Sequence, residues 1–493
     1  MSIFRLKRNW IIGGLFILTF ALLLLLRVGI FDEGEVDQRG DRGPNLQMRK
    51  DRETWMNIYQ QGEKIGYVHR QFLKTLEGYR IIESVSMQMN IMGMVQDLGF
   101  RTEGNFDRHL SLSSFDFELR SNLFRFAARG RVRGKVLSMV AGGSGAEQKI
   151  DFPFEKETQL SMSLLERLVN EDLKPGESRT FRIFDPTLMV QQPVKVAILK
   201  EETISVMGRQ ERAKKVSVDF MGVPHFAWIG EDGTVLKEEG ALGIRLEQVS
   251  KEEALHKAAL SSGADLTEIV SVPANKTLQD VDQIKELKVR LEGVQEGEIF
   301  LDGGRQSFER NVLTIRRESI SNLPSSIKRD GLFENGKTSL ESTPFIQSDH
   351  PEIQARVREI VSPDDAPLVK AKKLMAWVHE NIQKRPVLSI PNALETLRNR
   401  VGDCNEHAVL LTALARASGI PAQVEAGLVY QRGRFYYHAW NALYLGTWVT
   451  ADSVMDQLPA DVTHIRFVRG AEQQVDLVRL VGKVKIEILS QKK

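Results

Sequence analysis

The feature that most restricts the fold of this chain is the alternation of apolar and polar residues through its first half. The pattern runs through "YRIIESVSMQMNIMGMV" and "LSSFDFELRSNLFRF" and returns in "PVKVAILKEETISVMGRQERAKKVSVDF". Successive side chains of a β-strand point to opposite faces, so this period of two predicts strands. Gly, Asn and Asp between the runs are typical of turns. We therefore predict a β-rich region over residues 53–250, in one module or two.

The remaining organisation follows from length and local composition. A chain of 493 residues is too long to fold around one hydrophobic core, and a domain size of roughly 150 residues predicts about three domains. Residues 32–52 are charged and lack apolar periodicity, which predicts a linker. Residues 251–343 are interpreted as a connecting segment with strands. From 344 to 485 helical periodicity precedes three strand-like runs, which predicts an α+β domain.

An apolar run near the N-terminus predicts a membrane anchor. "WIIGGLFILTFALLLLL" begins at Trp10 and the stretch continues to Phe31, which matches the roughly 20 residues that cross a bilayer as a helix. Basic residues precede the run and acidic residues follow it, so the positive-inside rule keeps the N-terminus cytoplasmic. We expect residues 1–31 to form a cytoplasmic stub and signal-anchor helix, with the bulk of the chain periplasmic or extracellular. A cleaved signal peptide is the alternative, although no A-x-A cleavage site is visible.

Charge gives no reason to expect a nucleic-acid partner. Lys and Arg number 67 against 65 Asp and Glu, so the chain has no strong basic excess.

The only cysteine of the chain, Cys404, has two readings. One cysteine cannot form an intramolecular disulfide, and a lone buried cysteine often acts as a small apolar residue. Asp403 can cap a helix that ends near Gly419, which places Cys404 in the first turn. Free backbone N–H groups and the helix dipole lower a thiol pKa at this position. The context therefore favours a nucleophile.

A base and a residue to orient it are present downstream. The run Tyr444–Leu445–Gly446 can close a hairpin, with His438 seven residues before Leu445 and Asp452 seven after it. Side chains directly opposite in such a hairpin have Cβ atoms about 5 Å apart. We therefore predict that the Asp452 carboxylate holds the His438 imidazole.

Other histidines and a metal site remain as alternatives. His407 lies on the helix of Cys404 and is interpreted as a helix-face residue, and His379 and His464 are interpreted as structural. Cys404, His407, His438 and Asp452 are residue types that bind zinc, but their spacing is a weak signal. We expect no metal and no cofactor.

Three segments resemble the transglutaminase-like superfamily in its bacterial exported branch, over roughly residues 350–485. They are "GDCNEHAVLLTALARASGIPAQ", "FYYHAWNALYLGTWVTADS" and "DVTHIRF". The family signature falls on Cys404, His438 and Asp452. With this resemblance the expected fold class is α+β: an N-terminal transmembrane helix, large β-rich ectodomain modules and a C-terminal papain-like, transglutaminase-like core.

The resemblance implies a catalytic mechanism. Cys404 attacks an amide carbonyl, His438 takes and returns the proton, Asp452 orients His438, and an acyl thioester forms. The backbone N–H of Cys404 would be one donor to the oxyanion. Two features depart from the family pattern: Gln423 replaces a common arginine, and "TADSV" replaces Val-Asp-Pro-Thr around Asp452.

The expected function is a membrane-anchored thiol amidase, that is, a peptidase, a protein amidase or a cross-linking transferase. Its substrates would be peptides, proteins or cell-wall polymer, with hydrolysis favoured over transfer. The alternative is a non-catalytic binding or scaffold protein that retains a transglutaminase-like core.

Overall fold

The computed structural model describes residues 50–493 apart from 123, 144–146, 155–157, 170–172, 187–189, 221–222, 257–259, 295–298, 322, 326–332, 335–336, 388–390, 471–476 and 478–479. The described residues fall into two compact units, 50–265 and 266–493.

One antiparallel sheet of 14 strands, built from two meanders, dominates the first unit. The first meander comprises Arg52–Gln60 (β1), Glu63–Lys74 (β2), Gly78–Ile91 (β3), Met94–Asp107 (β4), Leu112–Ser121 (β5), Arg125–Arg133 (β6), Val136–Gly142 (β7) and Gln148–Pro153 (β8). The second comprises Ser178–Asp185 (β9), Val190–Val206 (β10), Arg209–Phe220 (β11), Val223–Gly230 (β12), Val235–Glu239 (β13) and Ile244–Val249 (β14). The two meanders join where β1 pairs with β14, with Trp55 opposite Val249.

The alternation that predicted these strands is visible in their burial. On β7, Leu137 and Met139 are buried whereas Val136 and Val140 are exposed. The helix Ser161–Val169 (α1) buries Leu164 and Leu168 in a core cluster that includes Phe181 of β9. A short helix, Lys251–Leu255 (α2), and a 3₁₀ turn, Ala241–Gly243, complete the regular structure described in this unit.

The described residues of the second unit combine helices with four sheets, of five, four, two and two strands. Its helices are Leu266–Val270 (α3), Pro351–Ile360 (α4), Pro367–Asn381 (α5), Ala393–Asn399 (α6) and Cys404–Ala417 (α7), with a 3₁₀ turn at Val281–Gln283. Its strands are Val272–Pro273 (β15), Glu286–Glu292 (β16), Gln306–Glu309 (β17), Val312–Arg316 (β18), Phe333–Glu334 (β19), Lys337–Thr338 (β20), Gln383–Lys384 (β21), Val401–Gly402 (β22), Ala422–Gln431 (β23), Arg434–Tyr444 (β24), Trp448–Ala451 (β25), Ile465–Arg469 (β26) and Lys485–Lys492 (β27).

The helix α7 is the centre of this unit. It contacts the helices α4, α5 and α6 and the strands β23 and β24. Its residues from Cys404 to Ala415 are all buried, including polar ones such as Asn405 and His407. The strand order β15-β24-β23-β26, with β25 on β24, forms the sheet beside it, and β17-β18-β16-β27 forms a separate sheet.

The fold class predicted from the sequence is wrong. The chain is mostly β, with 51% strand and 18% helix, and the large sheet dominates it. The α+β prediction gave the C-terminal helices too much weight, because the long strands of the first unit outnumber them. In the part of the chain that the structure describes, no helix is long and apolar enough to cross a membrane. The predicted N-terminal transmembrane helix is therefore not supported, and its segment, 1–31, lies outside the described residues.

Candidate active site

The start of α7 is fixed by side chains that pair with its free N–H groups. Asp403 accepts from the N–H of Asn405 at 2.9 Å, and the Asp403 N–H donates to Glu406 at 3.1 Å. This reciprocal capping box satisfies groups that a helix end would otherwise leave unpaired. A Cβ on Gly402 would lie 2.3 Å from the Cβ of Glu406, so glycine is required there. The predicted cap is confirmed, and it places Cys404 in the first turn.

The hairpin of β24 and β25 carries the predicted base and acid. Asn441 pairs with Ala451 and Tyr444 with Trp448, so the turn is centred on Gly446, whose φ is 102°. The predicted centre, Leu445, is wrong by one residue, which moves the pairing by two. An even shift keeps side chains on the same face, so Asp452 becomes a diagonal neighbour of His438.

The hairpin is fastened to α7 by buried hydrogen bonds. The Asn441 side-chain amide donates to the Ala408 carbonyl and to the Thr412 hydroxyl, each at 2.8 Å. The backbone N–H of Ala439 faces the Cys404 sulfur and favours its ionised form, an effect that alone would lower the thiol pKa. Cys404 therefore lies beside the backbone of the residue that follows His438.

His438 and Asp452 are in direct contact. His438 Nε2 lies 2.7 Å from Asp452 Oδ2, and Asp452 Oδ1 accepts from the N–H groups of Val454 at 2.8 Å and Met455 at 3.0 Å. An ionised carboxylate only accepts, so we assign the imidazole proton to Nε2. Among the described residues, none is a hydrogen-bond partner of His438 Nδ1. That nitrogen is left as the basic atom of the ring.

The thiol environment differs from the one predicted. Burial raises the pKa of Cys404, and the nearby carboxyls of Asp403, Glu406 and Asp452 add to the effect, against the Ala439 N–H. The helix terminus led us to predict a lowered pKa, and that direction is wrong because desolvation outweighs the dipole. Burial would also raise the pKa of Asp452, but His438 and His464 hold it well below its ordinary value. The structure thus places a neutral thiol near an ionised Asp452.

His464, which the sequence led us to interpret as structural, contacts this cluster. Its Nε2 lies 3.0 Å from Asp452 Oδ2 and its Nδ1 lies 3.2 Å from Asp461 Oδ1. Burial alone would lower its pKa, but Asp461 and Asp452 raise it to about 9. In the sequence, only the segment "DVTHIRF" pointed to His464. A loop separates this segment from the hairpin, so the pairing of the hairpin strands could not predict where His464 lies.

The two other histidines have different partners. His407 Nδ1 donates to the Asp403 carbonyl at 2.6 Å, and burial lowers its pKa to about 4, so its ring is neutral at physiological pH. His379 Nδ1 lies 2.8 Å from the Ser453 carbonyl oxygen. Both hold backbone that flanks the cluster.

The zinc ligands considered from the sequence differ from the group of residues whose side chains lie together in the structure. In the described part of the chain, the atoms of His438, Asp452 and His464 lie within 4.8 Å of one another. Both imidazoles direct Nε2 at the same carboxylate oxygen, and the other nitrogen of His464 faces a second carboxylate. Imidazoles that donate protons to carboxylates cannot use the same nitrogens as metal ligands, so this arrangement does not fit a metal ion.

Comparison with known proteins identifies the domain. Residues 354–453 match the profile of the transglutaminase-like superfamily, which confirms the resemblance found in the sequence. The matched segment contains Cys404, His438 and Asp452 and supports membership of a thiol-dependent enzyme family. No curated protein matches the chain.

Two solved structures show distant similarity. A proposed cysteine protease from Cytophaga hutchinsonii is 16% identical, with 43% of this chain and 83% of that chain covered and a TM-score of 0.30. A β-barrel-like protein from Brucella abortus, of a domain of unknown function, is 12% identical, with 41% and 98% covered and a TM-score of 0.33.

Proposed function

We propose that the second unit is a cysteine-dependent amidase that acts on peptide or protein amides through an acyl thioester on Cys404. The observation that carries the proposal is the state of His438: Asp452 fixes Nε2 at 2.7 Å, while Nδ1 has no partner among the described residues. The Cys404 sulfur lies against the next residue of the same strand, Ala439. A base oriented by a carboxylate and close to a thiol is the arrangement that nucleophilic cysteine catalysis needs.

The chemistry follows from these positions. The Cys404 thiol gives its proton to His438 Nδ1 as the sulfur attacks the amide carbonyl, and Asp452 stabilises the imidazolium that forms. The oxyanion accepts from backbone N–H groups, with that of Cys404 as one donor. The imidazolium then protonates the leaving amine, which breaks the C–N bond and leaves the acyl thioester. His438 then takes a proton from water as the water oxygen attacks the thioester carbonyl; the C–S bond breaks, the acid product leaves, and His438 returns the proton to the Cys404 sulfur.

The thiol of this site is neutral in the resting state. Burial raises the pKa of Cys404, so the thiolate forms when His438 accepts the proton rather than in advance. Hydrolysis is favoured over transfer because water is the more abundant acceptor.

One observation favours the alternative of a binding or scaffold protein. Cys404 is 3% exposed and His438 is 0% exposed, so a substrate must gain access to a thiol that is covered. In that case the buried cluster would only stabilise the transglutaminase-like core.

A covalent-intermediate experiment separates the two functions. The protein is incubated with denatured proteins and with cell-wall peptides, quenched in acid and measured by intact mass. If the protein is an amidase, the wild type forms an acyl adduct and releases amine, and Cys404→Ala does neither. Asn381→Ala, a surface substitution, is the control and should behave as the wild type. Equal amine release by wild type and Cys404→Ala would contradict the amidase.

A further inference from the structure

His464 lies between two carboxylates, Asp461 and Asp452, in a place closed to solvent. Its side chain is 0% exposed, and the two carboxylates are 7% and 1% exposed. Arg305 donates to the His464 carbonyl oxygen at 3.0 Å and so fixes the backbone, and Trp440 contacts the ring edge-on at 5.1 Å. Together these contacts fix the position of the imidazole and of its backbone.

Hydrogen-bond geometry alone fixes the protonation state of this ring. Asp461 Oδ1 already accepts from the N–H and the hydroxyl of Thr463, at 2.8 and 2.6 Å, and Asp461 Oδ2 accepts from the Gln457 amide at 3.0 Å. An acceptor of so many protons is an ionised carboxylate, and Asp452 is one as well. A ring nitrogen facing each carboxylate must donate, and only an imidazolium donates from both nitrogens.

The consequence is a fully saturated Asp452. Each of its two oxygens accepts two hydrogen bonds: Oδ1 from Val454 and Met455, and Oδ2 from His438 and His464. Without His464, the oxygen that orients His438 would have one donor in a buried place, where a carboxylate that lacks partners rotates or takes up a proton.

We propose that His464 is a positioning residue of this site: as an imidazolium held by Asp461, it keeps the Asp452 carboxylate ionised and fixed in the orientation that holds His438. The role rests on the proposed function of Cys404 and His438. His464 touches neither substrate nor sulfur in this role and acts through the shared oxygen of Asp452.

The role has a measurable effect on the thiol. The groups that face His464 are Asp461, Asp452, His438 and, at its carbonyl, Arg305. Loss of the imidazolium leaves Asp452 Oδ2 with His438 as its remaining side-chain donor, so the carboxylate turns or takes up a proton and holds His438 less firmly. A less stabilised His438 imidazolium disfavours the thiolate, and the loss of one such charged partner shifts a pKa by about one unit or more.

The test uses His464→Gln in the full chain and follows the rate of Cys404 alkylation by iodoacetamide from acidic to alkaline pH. We expect the midpoint of the pH profile to rise by about one unit. His225→Gln is the control, because it makes the same substitution at an imidazole that also contacts a carboxylate, that of Glu238, but lies in the first unit and outside this site; it is expected to leave the midpoint unchanged.

The same substitution in an Asp452→Asn background shows whether His464 acts through Asp452. A shift less than half as large in that background supports the proposal, since the shared carboxylate is gone. An equal shift in both backgrounds, or none in either, overturns it. If His464→Gln does not fold, Asp461→Asn replaces it, with a smaller shift in the same direction expected and an unchanged midpoint overturning the proposal.

Failure of the proposed function gives a different result. If His438→Ala leaves the alkylation profile as it is in the wild type, Cys404 has no base and the amidase itself is contradicted. If His438→Ala changes the profile and His464→Gln does not, only the role of His464 is lost.

Discussion

At the residue scale, burial decides the electrostatics of the site. The sequence placed Cys404 at a helix N-terminus, where partial charges favour a thiolate, yet the folded environment raises its pKa through desolvation and neighbouring carboxyls. Asp452 is equally buried but keeps a low pKa because two imidazoles face it. Burial of the same extent thus accompanies pKa shifts in opposite directions, because the partners of the two residues differ.

The charge on His464 makes stability depend on pH. Its pKa is raised from 6.5 to about 9 in the folded protein. The stabilisation is therefore complete below the unfolded value and is lost as the pH rises through about 9, by linkage on the order of 3 kcal/mol. We predict that the difference in free energy of unfolding between wild type and His464→Gln is largest near pH 6 and shrinks towards pH 9. Urea titrations at several pH values measure it, and a difference that does not change with pH would contradict an imidazolium at this position.

At the scale of elements, the site depends on the attachment of the hairpin to α7. Asn441 on β24 donates to Ala408 and to Thr412 across this boundary, and all of these groups are buried. Glu425 on β23 joins the hairpin to the neighbouring strands, since it accepts from Trp440 on β24 and pairs with Arg466 and Arg469 on β26. Asn441 therefore joins α7 to the hairpin, which fixes the positions of Cys404 and His438 relative to each other.

Substitution of Asn441 tests the attachment of the hairpin to α7. Asn441→Ala removes two buried hydrogen bonds between β24 and α7, and the Ala408 carbonyl keeps the Thr412 hydroxyl as a donor, so we predict a loss of about 1–3 kcal/mol in the free energy of unfolding and slower alkylation of Cys404 at neutral pH. Asn381→Ala, which removes an exposed amide that donates to the Trp377 carbonyl at 2.9 Å, is the control and should change stability by less than about 0.5 kcal/mol. Equal stability of the two variants would show that the attachment is unimportant.

Glu425 gives a second prediction at this scale. Burial opposes its ionisation, but Arg466 and Arg469 lower its pKa to about 2. Its stabilising contribution is present above the ordinary glutamate pKa and is lost as the pH falls through about 2. Glu425→Gln leaves the two arginines without their counter-charge, and we predict a loss of about 3–5 kcal/mol at pH 7 in denaturant titrations. A loss below about 1 kcal/mol would mean that the network contributes little.

At the scale of the whole molecule, the candidate site belongs to one compact unit. The residues that form it run from Asp403 to His464, within the unit 266–493. We predict that a fragment of residues 266–493 folds and shows the same pH profile of Cys404 alkylation as the full chain. A fragment that is unfolded by circular dichroism, or folded with a different profile, would contradict this assignment.

The parts that could be predicted from the sequence are those set by local patterns. Alternation predicted the strands of the first unit, and Asp403 with its neighbours predicted the start of α7. The turn at Gly446 was misplaced by one residue, because a three-residue loop can be centred on either of two positions. His464 and the raised pKa of Cys404 could not be predicted, since burial and contacts across a loop arise only on folding. The fold class failed because the C-terminal helices were weighted above the long strands.

The central claim, that His438 acts as the base for Cys404, is tested most directly by the pH dependence of iodoacetamide alkylation in wild type and His438→Ala. We predict that the wild-type thiol reacts at lower pH than the variant thiol, and at least about 10-fold faster at pH 7. Asn381→Ala is expected to behave as wild type. Identical profiles for wild type and His438→Ala would contradict the claim and make Cys404 a structural residue of the core.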